Sequence, residues 1–117
     1  MKSALTIFLA LLLISCKVGT EVFIDIAETY TVSINESGKH TKKYTINPGS
    51  EKHAKLVAWL KQNNSDWDPT PASYVPGLVV EGTGFSLNFM RTGVILNCKE
   101  GQFTKSVKLE DYEYLLQ

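Results

Sequence analysis

Cys98, His40 and His53 are the thiol and imidazole groups beyond residue 20 that could carry a nucleophilic or acid–base step. A nucleophilic cysteine needs its pKa lowered by a histidine, a cation or a helix N-terminus. In "GVILNC", residues 93–98, Cys98 shares its parity with Val94 and Leu96. A strand there turns the thiol toward the core, where free cysteines usually reside. His53 falls in the first turn of an amphipathic stretch, on the apolar stripe, with no second ligand at helical spacing. It reads as a packed histidine rather than a metal ligand. His40 stands beside Lys42 and Lys43 and is expected in solvent.

Oxygen ligands alternate in "NNSDWDPT": Asn64, Asp66, Asp68 and Thr70. A calcium loop of the EF-hand kind begins this way, but Pro69 takes the position of its glycine and Val75 that of its bidentate glutamate. Local Asx turns are the expected use of these residues, and neither a metal nor a cofactor is expected. No GxSxG, HExxH or phosphate loop is present, and no carboxylate pair stands in a glycosidase motif. Trp59, Trp67 and Tyr74 instead surround the proline-rich segment 65–76. Large aromatics on a stiff loop suit a protein interface. The expected partner-binding set is therefore Trp67, Asp66, Asp68, Tyr74 and Trp59. Trp67, between two aspartates, is expected to be the exposed ring. The competing reading has both tryptophans stapling the loop to the body of the domain, and it is the stronger of the two, because a loop with three prolines needs an anchor.

The elements that position these residues are legible from periodicity. In "EVFIDIAETYTVSIN", residues 21–35, Val22, Ile24, Ile26, Tyr30, Val32 and Ile34 share one parity, which predicts a long half-buried strand. "ESGK" supplies a turn and "HTKKYTI" the returning strand. After Pro48-Gly49, Ser50 reads as an N-cap and Glu51 as a first-turn acid. "EKHAKLVAWLKQ" then places His53, Leu56, Val57 and Leu60 on one helical stripe, with Trp59 on its flank and Asn63 and Asn64 as stops. Three prolines bar a regular helix or central strand from 65–76. Short strands are expected in "GLVVEG", "FSLNFM", "GVILNC" and "FTKSVKL", and "EDYEYLLQ" reads as a closing helical turn. The pattern predicts an α+β domain: an antiparallel sheet of about five to six strands with one main helix on one face.

The N-terminus carries an address. Lys2 precedes an apolar run from Ala4 to Ile14, then Ser15 and Cys16. Eleven helical residues span about 16 Å, and a bilayer core is about 30 Å thick, so this run is too short to be a membrane anchor. Leu13-Ile14-Ser15-Cys16 resembles the lipobox of bacterial lipoproteins. The resemblance, confined to residues 1–16, implies acylation of the Cys16 sulfur and cleavage before it. Lys17 follows, where lipoproteins kept in the inner membrane often carry Asp, which by analogy implies an outer-membrane anchor facing the periplasm.

The expected organisation is a signal peptide at 1–15, an acylated tether at 16–20 and one domain at 21–117. With Lys2 removed, eleven basic residues face twelve acidic ones. That balance gives no nucleic-acid footprint. If Cys16 is acylated, Cys98 is left without a disulfide partner. The expected function is a membrane-anchored, non-catalytic module that binds another protein, as an inhibitor or immunity-like protein does. An envelope-assembly accessory is the alternative.

Overall fold

The computed structural model describes residues 19–37, 39–71 and 73–117. The expected signal peptide and the lipobox-like stretch lie outside them. Seven strands form one sheet: β1 (Tyr30–Glu36), β2 (Lys39–Ile46), β3 (Asp68–Pro69), β4 (Leu78–Gly82), β5 (Phe85–Met90), β6 (Gly93–Cys98) and β7 (Gly101–Ser106). Their order is β2-β1-β4-β5-β6-β7-β3, with every neighbouring pair antiparallel. Among the described residues a single α-helix, α1 (Glu51–Gln62), joins β2 to β3. The α+β class and the helix on an antiparallel sheet are thus as the periodicity predicts. The additional strand is β3, two residues long and at the sheet edge. Pro69 has no N–H to donate, and an edge is where a ladder tolerates that loss.

Alternation decides which face is buried. Tyr30, Val32 and Ile34 of β1, Leu78 and Val80 of β4, Phe85, Leu87 and Phe89 of β5, and Val94 and Leu96 of β6 form one hydrophobic cluster with Leu56, Trp59 and Leu60 of α1. Each such side chain, fully buried, contributes about 1.5–3 kcal/mol. The C-terminal 3₁₀ turns, Leu109–Asp111 and Glu113–Leu116, close this core with Tyr112 and Leu115.

The helix boundaries follow from local chemistry. Gly49 takes φ +86°, open to glycine but strained for other residues, and turns the chain into α1. The Ser50 hydroxyl then accepts the His53 N–H at 3.2 Å, and the Asn63 N–H closes the other end on the Trp59 carbonyl at 2.9 Å.

The long N-terminal strand does not form. Residues 20–23 make a 3₁₀ turn, and the strand starts at Tyr30. Val22 and Ile26, expected to face the core, are 79 % and 73 % exposed. The reason lies in Thr20 and Phe23. The buried Thr20 hydroxyl reaches the Leu60 carbonyl at 2.6 Å and that of Asn63 at 3.2 Å, and Phe23 stacks on Phe85 at 4.7 Å. These anchors satisfy the helix end and the core edge, which an extended strand would not. Thr20, expected in a tether, is therefore part of the folded body.

Candidate functional site

Cys98 occupies the end of β6, half-buried, on the face shared with Val94 and Leu96. Burial pushes its thiol above the ordinary 9.0, and a side-chain hydrogen bond with Glu100 adds to the rise. A thiol so placed is protonated at neutral pH, the reverse of what nucleophilic attack requires.

His53 is buried, with its ring 5.1 Å from that of Tyr30 and Nε2 2.7 Å from the Glu28 carbonyl oxygen. As the donor in that contact, Nε2–H ties the connection before β1 to the first turn of α1. This is a packed histidine. His40 is exposed on β2. Among the described residues, no group of three or more His, Cys, Asp or Glu side chains converges as a metal site would require.

The expected partner-binding residues separate into three environments. Trp67 is only 6 % exposed, which corrects its expected outward ring. Its indole N–H donates to the Asn63 carbonyl at 2.7 Å, and its ring meets Trp59 edge to face at 6.1 Å. Trp59, 7 % exposed, also meets Phe89 at 5.2 Å. Flank position therefore understated its burial, because the sheet and the loop close over it from two sides. One edge of Trp59 borders a shallow groove of about 430 Å³ with Lys55, Gln62, Glu110 and Tyr114. The tryptophans staple the loop.

Asp66 and Asp68 remain exposed on either side of the staple. Asp66 adopts φ +65°, a region that aspartate tolerates better than most residues. Asp68 and Pro69 pair with Thr104 and Phe103 of β7, and the Thr70 N–H donates to the Gln102 carbonyl at 2.9 Å. Pro69, Thr70, Pro71, Glu100, Gly101 and Phe103 together line a shallow groove of about 410 Å³.

Tyr74 lies on the opposite face of the sheet. Its hydroxyl meets the Asn97 amide at 2.5 Å, and Asn97 alternates with the core residues Leu96 and Cys98. Three residues on, the Gly77 N–H donates to Asn88 Oδ1 at 2.8 Å, and the Gly77 carbonyl accepts the Asn35 N–H at 2.9 Å. The segment after β3 therefore crosses the face away from α1 as a strap, from the β3 edge over Asn97 and Asn88 to β4. Beneath it Asn88 is 1 % exposed and its β6 neighbour Ile95 is 4 % exposed. Asn88 Nδ2 has no hydrogen-bond partner among the described residues.

Sequence reasoning found the aromatic and acidic residues but missed the strap, the groove beside Pro69–Pro71 and the exposed Val22 and Ile26. Asn88 gives no signal of its burial, since it sits in the polar register of β5 with Ser86. The three prolines were a signal for the strap, because a stiff segment can cross a sheet face without making a ladder. No family model, no curated protein and no solved structure matches this chain.

Proposed function

We propose that the protein is a lipid-anchored, non-catalytic module of the bacterial envelope that binds another protein through the segment Asp66–Pro71. The observation that carries this reading is the fixation of that segment. Trp67 ties it to Asn63, the Lys105 ammonium donates to the Ser65 carbonyl at 2.5 Å, and Asp68 and Pro69 are laddered to β7. Asp66, Asp68, Pro69 and Pro71 stay exposed on this rigid support. A segment ordered before it meets a partner avoids much of the entropy cost of binding. Its two carboxylates, with exposed Glu100 in the groove that Pro69–Pro71 line, fit a basic patch on the partner. An inhibitor or immunity-like protein that masks such a patch is the specific form proposed. The protonated, Glu100-bonded Cys98 supports a role without covalent chemistry.

The envelope-accessory alternative would use a free sheet edge to accept a strand. The outer edge is β2, which carries Lys39, Lys42 and Lys43, all exposed. Lysines on an edge oppose strand addition, so the alternative has less support.

The test is site-directed photocrosslinking in the intact envelope from position 68, with position 43 on the far edge as control. One envelope protein captured from 68 and not from 43, with capture lost in Asp68→Lys, supports the reading. Equal capture from both positions overturns the binding edge. The anchor is tested by Cys16→Ser, which is expected to remain unacylated and uncleaved, because oxygen does not replace sulfur as the lipid acceptor. Acylation of that variant overturns the anchor.

A further inference from the structure

The two most exposed large hydrophobic residues among those described, Val22 and Ile26, lie on the segment that directly follows the lipobox. They cannot turn inward. Thr20 is held to the C-terminal end of α1 by its bonds to Leu60 and Asn63, and Phe23 is locked on Phe85. The 3₁₀ turn between these anchors directs Val22 outward. The next bend, where the Ala27 N–H donates to Asp25 Oδ1 at 2.9 Å, leaves Ile26 outside as well.

Ile26 continues onto an apolar surface of α1. It borders a shallow groove of about 390 Å³ with His53, Ala54, Val57, Ala58 and Lys61. Single exposed aliphatics are ordinary on a protein surface. Here Ile26 adjoins an apolar groove, and Val22, similarly exposed, stands four residues before it on the segment that leads from the proposed lipid anchor.

Tether length identifies what covers this surface. Cys16 precedes Thr20 by four residues, a span of about 14 Å at most even when fully extended. Thr20 is buried in the folded body. Acyl chains on Cys16 must enter the bilayer, so the surface around Thr20 is held within that distance of the lipid headgroups. Val22 is two residues beyond Thr20, and Lys61 at the groove rim can meet a lipid phosphate.

We propose that Val22, Ile26 and the exposed Ala54 and Ala58 of α1 dock on the phospholipid bilayer. The lipid anchor then acts with a second contact, as stable membrane attachment generally requires. Docking gives the domain one orientation and leaves the strap-crossed sheet face free. The inference rests on the proposed acylation of Cys16, and its test separates the two.

The acylated protein, in a Cys98→Ala background, is reconstituted in vesicles of phosphatidylethanolamine and phosphatidylglycerol. An environment-sensitive fluorophore is attached to Val22→Cys, Ile26→Cys, Ala58→Cys or Val75→Cys, and doxyl-labelled lipids are added as quenchers. Val75 is the control, also strongly exposed but on the strap segment after Tyr74. Severalfold stronger quenching at 22, 26 and 58 than at 75 is the expected result. Val22→Glu with Ile26→Glu should abolish quenching at 58 while the circular dichroism of the domain is unchanged. Mass analysis of the mature N-terminus reports acylation independently. Acylated protein with equal quenching at all four sites overturns docking and leaves the anchor standing. Unacylated protein overturns both. Shielding of 22 and 26 without vesicles, rising with protein concentration, overturns docking in favour of self-association.

Discussion

The rings of Trp59 and Trp67 meet edge to face, with centroids 6.1 Å apart and planes at 77°. Through this contact the loop after α1 is fastened to the same core that holds α1 on the sheet. Trp67→Ala is therefore expected to lower stability by about 3–5 kcal/mol, as for other buried large aromatics. Once corrected for the folded fraction, affinity for the proposed partner should change little. Urea denaturation with parallel binding measurements checks this. Retained stability with lost affinity would return Trp67 to the interface.

Leu60 is fully buried at the centre of the helix face, whereas Lys55 is exposed and pairs with Glu51 at 3.4 Å. Leu60→Ala should cost about 2–5 kcal/mol. Lys55→Ala should cost less than about 1 kcal/mol, because an exposed i,i+4 ion pair is weak. Similar midpoints for the two variants would contradict the packing of α1 on the sheet.

Asn88 pins the strap through Gly77 while its own Nδ2 lacks a partner among the described residues. In Asn88→Ala the lost acceptor costs about 1–3 kcal/mol, and removing the unpaired amide offsets part of that. A net change below about 2 kcal/mol is expected, with much faster hydrogen exchange at the Gly77 amide. Unchanged exchange there would mean that Asn88 does not hold the strap.

Tyr30, Tyr44, Tyr112 and Tyr114 all have hydroxyls raised above the ordinary 10.0 by burial, with neighbouring Tyr44 adding to the rise at Tyr114. As pH rises past 10.0, the unfolded chain loses these protons before the folded one does. The folded state then binds more protons, so stability falls with increasing pH in this window. The contribution is fully present below the unfolded value and disappears as pH climbs through the folded ones. Urea midpoints should fall from about pH 10 upward, and tyrosinate absorbance of the folded protein should lag that of the unfolded chain. Coincident titration curves would refute the burial of these hydroxyls.

Local rules made α1 fully readable: Ser50, Glu51, the apolar stripe and Asn63 act within one helix and need no distant partner. The same holds for β4 to β7, where alternation and tight turns are properties of neighbouring residues. The resemblance of residues 13–16 to a lipobox is also carried by linear order, and it lies outside the described residues. What the sequence could not decide was which of two competing partners an ambiguous segment would take. Residues 21–26 alternate as a strand should, yet Thr20 bonds to the end of α1, 40 residues away, and Phe23 stacks on Phe85. Those contacts outweigh the local alternation and leave Val22 and Ile26 exposed. Trp67 was ambiguous in the same way, since flanking aspartates suggest solvent while the indole finds Asn63 and Trp59. Cys98 was placed on the correct face by parity, but its bond with Glu100 depends on the β6–β7 turn. Tyr74 met Asn97, and Asn88 met the Gly77 amide, only because a proline-stiffened segment crossed the sheet face away from the helix. Periodicity reports which side of an element is apolar. Which distant surface meets that side is settled by packing of the whole chain.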